Sequence, residues 1–204
     1  VRTSSVEPSA RMEAELVVTA VLDTNVLMRV RLMQFLVGVA MAGAFTPRWS
    51  ASIREELEVT CGRERPNLLE PLIELADSVP DVLLPVNADD LDLAKGGCDV
   101  KDEHVLAAAL CAARSGSDGL GATRVLLVTE NLKDFDAPYA LARGVEVMGV
   151  DPFGLVLLEV APMAVLRTID RQPPERYDSY LDQMRGDGLL RTANRIEELF
   201  AEIG

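Results

Sequence analysis

The chain has 204 residues, 49% of them hydrophobic and 26% charged, with a formal net charge of −13 at neutral pH. A domain of this length buries most of its apolar surface, so a conventional core is expected and the chain as a whole reads as globular rather than disordered. No apolar run approaches the roughly 18 residues of a membrane helix, and the single histidine, His104, argues against a His-rich zinc site or a Ser-His-Asp triad.

Residues 1–13 are polar and aperiodic and read as a disordered leader. Val17 to Leu22 is a short β-branched run of the kind expected for a strand buried on both faces, and it stops at Asp23. The apolar patch from Leu16 follows Glu13 and Glu15, which does not suit a secretory signal, so a cytoplasmic protein is expected. One long helix is predicted from Val26 to Ala42, closed by Gly43, and a second after Phe45 to Pro47 with Ser50 as its N-cap. Asn67 to Ser78 reads as helix and Val82 to Val86 as strand, with Pro80 and Pro85 as punctuation. After Gly96-Gly97 comes a helix from about Asp102 to Arg114, a glycine-rich turn from Gly116 to Gly121, and a buried strand from Arg124 to Thr129. Asn131 to Asp136 is a polar loop, Tyr139 to Arg143 a short helix, and Val145 to Val150 a further strand. Strands alternating with helices imply an α/β sandwich of three layers with a central parallel sheet.

Beyond Asp151 the strand signal ends. Phe153 to Val160, Met163 to Asp170, Glu175 to Arg185 and Leu189 to Ile203 read as helices, the last two joined at Gly186-Asp187-Gly188. The expected organisation is thus a leader over 1–13, an α/β domain over 14–150 and a helical C-terminal extension over 151–204. The last helix carries Leu189, Ala193, Ile196, Phe200 and Ile203 along one side, a stripe for packing on its own domain or on a partner.

The acidic balance argues at first against a nucleic-acid partner. Its distribution softens that: residues 1–68 carry 8 basic and 8 acidic side chains, so the excess of acid lies entirely in the later part. Arg29, Arg31, Arg48, Arg54, Arg63 and Arg65 fall in the balanced section, as a phosphate-facing patch or as decoration of solvated helices. Cys61, Cys98 and Cys111 lack metal-type spacing, and their odd number argues for thiols rather than disulfides.

Catalysis must therefore lean on carboxylates. Asp23 sits where the first strand stops, and ligands of open parallel sheets gather at the carboxyl ends of strands. It is equally suited to capping the next helix. At about 100° per residue Asp102 shares the apolar face with Val105, Leu106 and Ala109, whereas His104 falls on the opposite side. An acid aimed inward from a helix N-terminus is costly unless a cation offsets its charge. On the helix after Ser50, Glu56 borders the side of Ile53 and Leu57 while Glu55 and Glu58 point away. Asp134 follows the strand ending at Thr129, and its neighbour Asp136 reads as a turn residue.

Asp23, Glu56, Asp102 and Asp134 are accordingly expected to converge, with Thr24, Asn25, Thr129 and Asn131 beside them. Four carboxylates repel one another unless a cation intervenes, and oxygen ligands suit Mg²⁺ or Mn²⁺. The reaction class this favours is phosphodiester hydrolysis.

The segments Val21 to Leu27, Trp49 to Leu57, Asp99 to Ala109 and Val128 to Phe135 resemble successive motifs of PIN-domain proteins, in matching order over about residues 15 to 150. The helical tail resembles, more loosely, the extension of some bacterial proteins of the VapC toxin type. The resemblance implies a ribonuclease that is usually the toxin of a toxin–antitoxin pair, with an antitoxin partner and a homodimeric state. It assigns metal-binding and catalytic roles to Asp23, Glu56, Asp102 and Asp134, a place in the outer shell to Asp99, and substrate-orienting roles to Asn25 and Asn131. His104 matches a recurring position, but its outward direction keeps it out of the catalytic set. Two other readings compete: a haloacid-dehalogenase-like phosphatase, which wants a second Asp where Asn25 stands, and a non-catalytic interaction module.

Overall fold

A computed structural model describes residues 17–64, 70, 82–116, 123–171 and 177–203. The leader expected at 1–13, nearly all of the helix expected at Asn67 to Ser78, and all but the first residue of the Gly116 to Gly121 turn lie outside these residues. Strand β1 (Val17–Leu22) is followed by α1 (Thr24–Leu27), α2 (Val30–Met41), β2 (Thr46–Ser50) and α3 (Ala51–Glu64). Next come β3 (Leu83–Leu84), α4 (Ala88–Ala94), α5 (Glu103–Gly116) and β4 (Thr123–Val128). The chain continues through α6 (Ala137–Leu141), β5 (Val145–Met148), α7 (Val150–Val160), α8 (Pro162–Asp170), α9 (Tyr177–Gly186) and α10 (Leu190–Ile203).

All pairings in the sheet are parallel, in the order β3-β2-β1-β4-β5. This is the predicted α/β architecture, and the strand order has a consequence for the site. From β1 the chain first winds outward through β2 and β3, then crosses to β4 and β5 on the other side. The order therefore reverses between β1 and β4, and at such a switch point the loops leaving the two strands diverge and open a crevice. Right-handed crossovers place α1 to α3 on one face of the sheet and α5 on the other. Helix α5 lies across the strands with Val105 to Ala112 all buried, and its run of alanines lets it approach the sheet closely.

Three expectations are corrected. The helix read as one from Val26 to Ala42 is broken at Met28-Arg29, where Arg29 is extended (φ −90°, ψ 106°). The segment leading into α3 is strand β2, which Pro47 had obscured. Pro47 is tolerated because β3 pairs only with Trp49 and Ser50, so the strand is an edge where the proline sits. Val150 belongs to α7 and not to the last strand. Ser50 is the N-cap expected, its hydroxyl accepting from the Ile53 N–H at 3.2 Å. Gly43 closes α2 at φ +84°, a conformation natural to glycine.

The C-terminal helices share one continuous core with the sheet domain. Phe153 of α7 meets Phe45 edge to face at 5.1 Å, and α8 packs on α2 so tightly that a Cβ on Gly38 would lie 2.7 Å from the Thr168 methyl. Among the described residues no single helix is long and apolar enough to cross a membrane.

Candidate metal centre

Asp23 leaves the end of β1 at the switch point, its N–H bonded to the Val128 carbonyl of β4 at 3.0 Å. It stands at the N-cap position of α1 but makes no capping hydrogen bond with its side chain. The carboxylate turns instead toward β4: Oδ2 accepts from the Thr129 hydroxyl at 2.7 Å and from Asn25 Nδ2 at 2.6 Å. Thr129 is fixed in turn, since its Oγ accepts from Asn25 Nδ2 at 3.2 Å and from the Asn131 N–H at 3.0 Å. Asn25 Oδ1 closes the ring by accepting from the Glu130 N–H at 3.1 Å. Two strand ends are thus clasped around one acid. Burial raises the pKa of Asp23, Thr129 opposes that rise, and the nearby charge of Glu56 adds to it.

Glu56 comes from α3. Its Oε2 accepts from the Thr24 hydroxyl at 2.9 Å and lies 3.1 Å from His104 Nε2. His104 therefore faces the site, contrary to the expectation from the helical wheel. The wheel placed His104 only relative to the apolar face of its own helix, whereas α3 packs beside α5 and brings Glu56 to the histidine.

Asp102 is buried at the end of this turn, and its Oδ2 has no hydrogen-bond partner. Its pKa is raised first by burial, with Lys101 opposing and the charges of Asp23 and Asp134 adding. Asp134 arrives from a second 3-10 turn, Leu132–Asp134, held near Asp102 by a strip of backbone pairing. The Asp99 N–H bonds the Asp134 carbonyl at 2.9 Å, the Asp136 N–H bonds the Gly97 carbonyl at 2.8 Å, and Cys98 bridges Phe135. Asp136 is the turn residue expected, capping α6 through the Tyr139 N–H at 2.9 Å.

The four predicted acids thus share one region but not one cluster. Asp99, Asp102 and Asp134 each offer an oxygen within 4.8 Å of the others, while Asp23 and Glu56 fall outside that group and interact electrostatically with each other. Asp102 links the two groups through its coupling to both Asp23 and Asp134. Asp99 stands in this group beside Asp102 and Asp134. Lys101 was missed: its ammonium lies 2.8 Å from Asp134 Oδ2 and 3.7 Å from Asp102 Oδ2. Its position between Asp99 and Asp102 in the sequence was the signal available.

An open cleft of about 570 Å³ runs past these groups, lined by Asp23, Asn25, Arg29, Glu56, Asp102 and Asn131 among others. The residues fit a hard divalent cation on two counts. The donor set is oxygen only. A buried carboxylate oxygen without a hydrogen bond is also costly unless something positive approaches it, and Lys101 already brings positive charge to this place.

No curated protein and no solved structure matches the chain. The family model of the PIN domain matches residues 19–115, a span that contains Asp23, Glu56, Asp99 and Asp102 and stops before Asp134. PIN domains are generally metal-dependent nucleases, and this match, beside the parallel sheet and the acids at its switch point, shows that residues 19–115 are similar to a PIN domain.

Proposed function

We propose that the chain is a Mg²⁺- or Mn²⁺-dependent ribonuclease, with Asp23, Glu56, Asp102 and Asp134 as its metal-binding and catalytic acids. The observation that carries this reading is the buried Asp102 oxygen without a hydrogen bond, set among carboxylates at the sheet's switch point. A bound divalent ion would supply a water of lowered pKa and positive charge to offset what develops on a phosphodiester. The chain's own residues prepare that chemistry. Thr129 and Asn25 hold the Asp23 carboxylate in one orientation, and Thr24 and His104 do the same for Glu56. Asn131 lines the cleft from the β4 side and is read as meeting the substrate, with Asn25 as its neighbour.

The finer reading, supported by the sequence resemblance, is a VapC-type toxin. It acts on RNA, is held by a protein antitoxin and works as a homodimer, with the sheet domain over 14–150 as nuclease and 151–204 as extension. A phosphatase of the haloacid-dehalogenase type is disfavoured, because Asn25 stands where its general acid is needed and donates its amide to Asp23.

The test is cleavage of end-labelled total RNA in Mg²⁺ by the wild-type chain and by Asp23→Asn. The wild type is expected to cut and leave 5′-phosphate ends, and the variant to lose at least about 100-fold in rate. Equal cleavage by a folded Asp23→Asn protein would sink the assignment.

A further inference from the structure

Two cations line the cleft, Arg29 and Lys101, and they are engaged differently. The Lys101 ammonium is bound up with Asp134 and Asp102. Arg29 stands at the break between α1 and α2 and reaches across the molecule. Its Nη1 donates to the Asp187 carbonyl at 2.9 Å, and its Nη2 lies 3.5 Å from Glu130 Oε2, with the two side chains 41% and 31% exposed. A carbonyl does not neutralise the guanidinium, and an exposed ion pair at that distance does so only weakly. Arginine has five N–H donors, so most remain for another acceptor on the cleft side.

The Asp187 carbonyl belongs to the turn that joins α9 to α10, and this turn is rigidly built. The Asp187 N–H bonds the Gln183 carbonyl at 2.9 Å and the Leu189 N–H bonds the Met184 carbonyl at 2.9 Å, with Leu189 and Met184 both in the core. Gly188 has φ +91°, and a Cβ there would lie 3.3 Å from Arg29 Nη1. Glycine at this position thus serves both the left-handed backbone and the close approach of the guanidinium.

We propose that Arg29 binds a phosphate of the RNA substrate in the cleft and that the turn at residues 186–188 is its positioning element, so that α7 to α10 complete the substrate-binding face. A planar guanidinium gripped at one edge presents its remaining donors in a fixed fork, the geometry that phosphate oxygens accept. The assignment rests on the ribonuclease reading above.

The experiment compares wild type, Arg29→Ala, Gly188→Ala and the double variant in Mg²⁺-dependent cleavage of total tRNA, with Mn²⁺ binding followed by calorimetry. Arg29→Ala is expected to raise KM about tenfold, the scale of one charged hydrogen-bonded contact. It should also lower the slope of log KM against log salt by about 0.7, as for one phosphate on a single strand. Gly188→Ala should raise KM alone but add little on the Arg29→Ala background, since both act through one guanidinium. Mn²⁺ affinity should stay at the wild-type value in each. An unchanged KM and salt slope in Arg29→Ala, with the wild type active, overturns the proposal, as does full additivity of the two substitutions. A wild-type chain that neither binds nor cleaves any RNA overturns the ribonuclease reading itself.

Discussion

Replacing Asp102 by asparagine should make the metal-free chain more stable and the metal-bound chain less so. In the metal-free state this carboxylate is buried, has no hydrogen bond to Oδ2, and feels the charges of Asp23 and Asp134, with Lys101 3.7 Å away as partial compensation. Asparagine keeps the shape and removes the charge. A buried charged oxygen left without a hydrogen bond costs about 1–3 kcal/mol, so relief on the order of 1 kcal/mol is expected from removing the charge. For a chain of this size that is roughly 2–4 °C in Tm. Mn²⁺ should invert the order, because at about a hundred times Kd it adds about 2.7 kcal/mol to a chain that binds it and little to the variant. Thermal melts of both proteins in EDTA and in Mn²⁺ read the effect directly. A variant that melts below wild type in EDTA, yet gains as much from Mn²⁺, would refute the reasoning.

The close contact between α7 and α10 gives a second outcome. A Cβ at Gly154 would lie 2.3 Å from Thr192 Oγ, and Thr192 is fully buried with its hydroxyl bonded to Asp151. Gly154→Ala should therefore destabilise by about 1–3 kcal/mol, seen as a lowered midpoint in urea. Binding of Mn²⁺ should weaken as pH falls, because Asp23 and Asp102 titrate above the ordinary carboxylate value of 3.8 and must ionise to bind. In the metal-free chain the folded state holds these protons more tightly than the unfolded one, so their contribution favours folding at low pH and is lost as pH rises through the raised values. Calorimetry and urea melts from about pH 4 to about pH 8 check both signs. Asp90 behaves oppositely. Burial alone would raise its pKa, but Arg114, at 2.9 and 3.2 Å, and the Asn87 backbone hold it below 3.8. Arg114→Ala should cost about 2 kcal/mol at neutral pH, discounted for the half-exposed arginine, and the loss should fade as acid protonates Asp90.

What the sequence revealed follows from how local each signal is. Asp23 at the end of a β-branched run and Asp102 at the foot of an alanine-rich apolar helix are marked by their own neighbours. The strands ending at Leu22 and Val128 and the four C-terminal helices are legible for the same reason. Strand β2 was hidden because Pro47 argues against a central strand, and only the short reach of β3 makes it an edge there. Helix α4 was passed over although its capping box, Asn87 with Asp90, stands in the sequence. The contact of His104 with Glu56 depended on how α3 packs beside α5, and the grouping of Asp99 with Asp134 on the backbone pairing of residues 97–99 with 134–136. The grip on Arg29 comes from a carbonyl 158 residues away, which no local pattern records.

The central claim is that these acids hold a divalent ion, and an anomalous-scattering map of Mn²⁺-soaked crystals tests it most directly. The account predicts a Mn²⁺ peak bounded by Asp102 and its neighbours Asp23 and Asp134, absent in the Asp102→Asn protein. A fully soaked crystal with no peak in the cleft, or an equal peak in the variant, would contradict it.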